Sequence, residues 1–137
     1  MQPKYIDGLQ TTLNNPDTIY CPSFAAPNFD YRSLAGLTFD KYNIRTLFKH
    51  PFGEALLNTC NYFVPKTEYL RVFEANPKMK ATDTIYMNYL WLKAGNKFKV
   101  VNGMEYFHRV HNGSGFMADV NYNMAQSAAV KQMILSL

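Results

Sequence analysis

Apolar residues along the chain recur with two spacings, one helical and one strand-like, and the clearest change from one to the other falls between Thr82 and His111. Thr82 and Asp83 are residues that start helices, because a short side-chain oxygen can accept from the free amides of a first turn. Ile85, Tyr89 and Leu92 then fall on one stripe, with Met87, Leu90, Trp91 and Ala94 beside it. That is more apolar surface than a solvent-facing helix carries, so the helix is expected to be buried on most sides, with Trp91 in the core. Gly95 supplies the left-handed residue that closes a helix, and Lys93 and Lys97 place positive charge near the negative end of its dipole. From Lys97 to His111 the residues alternate and favour β structure. Asn102-Gly103 in the middle allows either a bulge in one strand or a tight turn between two.

The rest of the chain reads less sharply. Pro3, Tyr5, Ile6, Leu9 and Leu13 describe an amphipathic helix ending near Asn14-Asn15. Thr18 to Cys21 is a short β-prone run that Pro22 should end, and Ser23 to Gly36, with its prolines, turn formers and aromatics, reads as an ordered loop. Thr38 or Asp40 caps a helix carrying Tyr42, Ile44, Leu47 and Phe48, which Pro51 and Gly53 should stop. Leu56 to Val64 is expected to be a strand whose Asn58, Thr59 and Asn61 need hydrogen-bond partners. After Pro65, Thr67 and Glu68 open a helix with Tyr69, Leu70, Val72 and Phe73. The tail from Val120 to Leu137 reads as a terminal helix in which Met124, Ala128, Met133 and Leu135 mark no single face. Helices alternating with strands predict an α/β architecture in a single domain over residues 1–137.

Composition narrows the class. A hydrophobic content of 47% with ten Tyr and ten Phe excludes a disordered chain and suggests a core rich in large rings. No apolar run is long enough to span a bilayer and no basic start precedes an apolar stretch, so a cytoplasmic or membrane-peripheral location is expected. Cys21 and Cys60 match no metal-ligand spacing and are expected to be buried free thiols. The net charge of +4 is spread over scattered lysines, which argues against nucleic acid as a partner.

Four strings carry a resemblance: PKYIDGLQTTLNNPDTIYCP, LNTCNYFVPKTEYLRVF, TDTIYMNYLWLKAGNKFKVV and YFHRVHNGSG. In order and spacing they resemble the acceptor-side, C-terminal half of a family-2 glycosyltransferase of the GT-A type, over residues 3–115, with 120–137 as an added terminal helix. The resemblance implies a partial GT-A-like fold, a mixed sheet flanked by helices, lacking the N-terminal nucleotide-binding half. The chain would start just after that family's Asp-x-Asp, and a partner chain or a longer reading frame would supply the missing half.

The implied activity is transfer of a sugar, with inversion, from a nucleotide-diphosphate sugar to a glycan or lipid-linked acceptor. Asp83 matches the helix-start aspartate that takes the acceptor proton in such enzymes; read on its own, it is also an ordinary carboxylate stabilising a helix dipole. The family's divalent cation, Mn or Mg, would take a late histidine. His108 and His111 are the candidates, and because residues three apart in a strand face opposite ways, at most one of them is a ligand. His111, in an Arg-x-His-x-x-Ser string, is the preferred one. Arg109 would steady diphosphate oxygens, Ser114 lies in a glycine-rich loop that would fold over the donor, and Asn61, Tyr62 and Lys66 would face the acceptor. His50, beside Pro51, reads as a turn residue. The competing class is a non-catalytic α/β module that binds a carbohydrate or a protein through its aromatic loops.

Overall fold

The computed structural model describes residues 15–58, 63–74, 81–108 and 116–137. The chain is α/β, with a four-stranded mixed sheet and five helices among those residues. In chain order they are β1 (Thr18–Ala26), β2 (Phe29–Asp30), β3 (Thr38–Phe39), α1 (Ile44–Phe48), α2 (Gly53–Asn58), α3 (Lys66–Val72), α4 (Asp83–Lys93), β4 (Lys97–Phe107) and α5 (Val120–Leu135). The strand order is β2-β1-β4-β3. The long central strands β1 and β4 run parallel, and β2 and β3 close the two edges antiparallel.

Pro22 does not end β1, which continues through it to Ala26. Tyr20 exchanges both of its backbone hydrogen bonds with Phe63, at 3.0 and 3.2 Å. Backbone groups two residues apart address the same side of a strand, so the N–H that proline lacks would point away from β4, and its absence takes nothing from the β1–β4 ladder. The segment expected as a loop therefore extends β1, turns at the cis Ala26-Pro27 bond, and returns as β2 and a 3-10 turn over Arg32–Leu34.

Opposite Pro22 the two central strands change step. Pro22 pairs with Val101 and Phe24 with Glu105, so β4 advances four residues where β1 advances two. Gly103, at φ 78°, absorbs the excess as a bulge, and β4 remains one strand. Alternation inverts across it. Phe98 and Val100 join the helix-side core with Ile19, Cys21, Leu47, Leu57, Ile85, Trp91, Leu92, Val130 and Ile134. Met104 and Tyr106, also even-numbered, join a second cluster with Tyr20, Ala25 and Val101.

Residues 56–58, expected as the start of a strand, belong to the helix α2. Glu54, Ala55, Leu56 and Leu57 are good helix formers, and Leu56 and Leu57 are fully buried. Gly53 opens this helix instead of stopping α1, because the backbone of Leu47 passes so close that a Cβ would collide with its carbonyl. Asn58 finds its partners in the helix and across it, donating to Glu54 O at 3.2 Å and Ser127 Oγ at 2.8 Å. Phe63 forms only an isolated bridge. Before α1, Asp40 and Asn43 bond reciprocally: Asp40 Oδ1 accepts from Asn43 N at 3.1 Å and Asn43 Oδ1 from Asp40 N at 2.7 Å. Thr38, the alternative cap, lies in β3. The expected N-terminal helix lies outside the described residues.

Helix α4 begins and ends where the sequence indicates. At its end Gly95, at φ 92°, donates to Leu92 O, and Asn96 donates to Trp91 O, a Schellman closure. Trp91, fully buried, ties the turn to the strand by donating from Nε1 to Lys97 O at 2.9 Å. At its start the Thr82 hydroxyl donates to Gln126 Oε1 on α5, and Asp83 Oδ1 accepts from Thr84 N. Helix α5 does have a single face: Asn123, Ser127, Val130 and Ile134 are buried at helical spacing.

Candidate functional site

At the carboxyl ends of the parallel strands β1 and β4, which in α/β sheets is the ligand-binding edge, rings from three segments meet. His108, just past β4, is fixed by its backbone N–H, which donates to Ala26 O at 2.7 Å. Its Nδ1 lies 3.0 Å from Tyr106 Oη, and its ring stands edge-on to Phe29 at 5.3 Å and to Tyr106 at 5.8 Å. Burial lowers its basicity below that of an ordinary imidazole, so the ring favours the neutral form. Nε2 is the nitrogen left for a ligand.

Phe29 also meets Phe52 edge-on, at 5.4 Å. Phe52 in turn lies 6.1 Å from His50, whose Nδ1 accepts from Phe52 N at 3.1 Å, so the expected turn role of His50 holds and a second imidazole enters the cluster. Tyr31 lies 5.6 Å from His50 and is completely buried, with a hydroxyl that has no hydrogen-bond partner among the described residues. Desolvation, then the neighbouring Tyr106 and Cys21, push its ionisation well up, and burial does the same to the Cys21 thiol. Both are neutral. Cys21 is buried and free, as expected. At the exposed rim, Arg32 holds the Asp30 carboxyl down to about 2 through a two-point pair at 2.9 and 2.7 Å.

Of the residues singled out in the sequence, His108 stands in this cluster. Asp83 is exposed on the first turn of α4, where its Oδ1 accepts from Thr84 N. The structure does not bring it against His108. Lys66 opens α3 and lines a cleft of about 520 Å³ with Asp17, Glu68, Arg71, Ala94 and Asn96. That cleft adjoins the carboxyl end of α4, ten residues and hence about 15 Å from Asp83. Asn61, Tyr62, Arg109, His111 and Ser114 lie outside the described residues.

No known family, curated protein or solved structure matches the chain. No helix among the described residues is long and apolar enough to cross a membrane. No group of three or more His, Cys, Asp or Glu side chains converges among the described residues either. A hard divalent cation needs several oxygen ligands, and the two imidazoles of the cluster, His50 and His108, come without them among the described residues.

The sequence reading missed Phe29, Tyr31, Phe52 and Tyr106 as site residues. The signal available was the density of aromatics between Ser23 and Gly36, which marks a loop worth attention without saying which rings meet.

Proposed function

We propose that the chain forms the acceptor-side part of an inverting glycosyltransferase, acting between a nucleotide-diphosphate sugar and a glycan or lipid-linked acceptor. The observation that carries the reading is the cluster of partly exposed rings and imidazoles at the carboxyl ends of β1 and β4. Apolar faces with a few fixed polar atoms suit a sugar ring, which has both. In this reading Asp83 takes the proton from the acceptor hydroxyl as its oxygen bonds to the anomeric carbon, while the nucleoside diphosphate leaves with the electron pair of the broken bond. The carboxylate is exposed, and with Oδ1 accepting from Thr84 N, Oδ2 is the oxygen that takes that proton. His108 Nε2 donates to the sugar or to the leaving diphosphate.

Carbohydrate binding without transfer is the second reading, and the separation of Asp83 from the ring cluster favours it. One experiment divides them. The chain is titrated by calorimetry with uridine and guanosine diphosphate sugars, with and without manganese, and donor hydrolysis and transfer to an acceptor panel are followed by mass spectrometry. Transfer that vanishes in Asp83→Asn while acceptor binding persists supports the first reading. Acceptor binding lost in His108→Ala, with no donor binding at all, supports the second.

A further inference from the structure

We propose that the outward face of α5 pairs with the same face of a second copy of this chain, the two helices running antiparallel about a two-fold axis that passes beside Ala128 and Ala129. Asn123, Ser127, Val130 and Ile134 are buried and fix the inward side of the helix. With about 100° between successive residues, the side directly opposite them is centred on Ala125 and Gln132, with Ala128 and Ala129 close by. Tyr122, Met124 and Met133 lie along its two margins, 46%, 58% and 39% exposed. All of these outward positions are exposed, and none carries a charge. The one charge in α5 is Lys131, which is turned aside: its Nζ lies 3.8 Å from Glu54 Oε2 and 5.2 Å from the centre of the Phe48 ring.

A helix whose outer side faces only water normally carries charged residues there. This one offers methionines, a tyrosine ring and alanines instead. The absence of charge narrows what the face can meet. A nucleic acid or a charged protein surface would give up hydration against it and gain no ion pair. A second copy brings no such groups, and because each chain carries +4, two copies repel unless they meet where no charge lies.

A two-fold contact requires a patch that complements itself. Inverting α5 about the point midway between residues 128 and 129 sets Ala125 opposite the partner's Gln132. It lays Met133 beside the partner's Tyr122 and Met124 beside the partner's Leu135. The alanines fall at the crossing, where small side chains let helix axes approach to about 8 Å. The two helix dipoles then run in opposite directions, which favours the pair. With 16 residues, α5 is about 24 Å long. Two helices of that length cover less than the roughly 1,600 Å² of a standard interface, so the dimer is reversible, with a dissociation constant on the order of 100 μM.

The test is sedimentation velocity on the full chain from about 10 μM to about 1 mM, a range that brackets such a constant. The mean mass should rise from 15.8 kDa towards twice that value. Ala128→Glu sets two carboxylates against each other across the axis and should weaken the dimer about tenfold or more. Ala125→Glu combined with Gln132→Lys sets opposite charges across an antiparallel seam and like charges across a parallel one, and should tighten the dimer about threefold. All three positions are exposed, so an unchanged melting temperature checks that the variants fold. A monomer at every concentration, a dimer indifferent to Ala128→Glu, or a dimer no tighter in the double variant would each overturn the proposal. So would a monomer that floats with phosphatidylcholine vesicles, which would give the face to a lipid surface instead.

Discussion

Two glycine-to-alanine substitutions separate the cost of space from the cost of conformation. At Gly95 an added Cβ meets nothing within 4 Å, yet φ is 92°, a region where an L side chain costs about 1–2 kcal/mol. At Gly53 the backbone conformation is helical, but the new carbon would fall on the Leu47 carbonyl and within 3.3 Å of Phe48 Cα. Both obstacles are backbone, so no rotamer change relieves them and the α1–α2 corner must move. That corner carries Leu47, Leu56 and Leu57, all fully buried, so its movement loosens the helix-side core. Overpacking of this kind costs about 1–3 kcal/mol even where side chains can yield, and about 3 kcal/mol or more is expected here. Urea unfolding followed by circular dichroism measures both. With an m-value of about 1.5 kcal/mol/M, Gly53→Ala should lower the midpoint by roughly 2 M or more and Gly95→Ala by about 0.7–1.3 M. A Gly53→Ala variant no less stable than Gly95→Ala would refute the close approach.

Three further outcomes are expected. Tyr31→Phe removes a buried hydroxyl that has no partner, so the protein should be unchanged or stabilised by up to about 1 kcal/mol in the same urea assay. Ser127→Ala strips a partner from Asn58 and from Glu54, whose Oε1 accepts from Ser127 Oγ at 2.5 Å, and should cost about 1–3 kcal/mol. His108 has a lowered basicity in the folded chain, so the unfolded chain binds more protons between the folded value and the ordinary 6.5. Stability should therefore fall as pH drops below about 6.5, and thermal melts from pH 7.5 to 5 should show a weaker dependence in His108→Gln.

Local signals were legible where one residue type dictates one backbone state. Gly95 closed α4, Trp91 lay in the core, and Lys97 began a strand because each needs only its neighbours to act. The failures came where tertiary contacts decided. Pro22 stays inside β1 because its nitrogen faces away from β4, an orientation set by pairing with a strand more than seventy positions along the chain. The face of α5 escaped notice because two of its four buried residues, Asn123 and Ser127, are polar and bonded: Asn123 to Phe116 O, and Ser127 to α2. A hydrophobic pattern cannot show a polar residue that is satisfied in the core. The ring cluster was equally invisible, since Phe29, Phe52 and His108 come together only when β1 and β4 run side by side.

The bulge at Gly103 makes the orientation of His108 a matter of counting. Strand residues change sides with every step, and Val101, Met104 and Tyr106 share a side because the bulge takes up one residue, so closing the bulge at constant length would carry Tyr106 and His108 to the helix-covered side without altering either of them. Glu105 and Phe107 would take their places against Phe29. Homologous chains that lack the bulge together with its one extra residue would thus keep the same chemistry at this edge, and those shorter by two residues here would exchange it. Length at positions 102–104 is as much a part of the site as the imidazole.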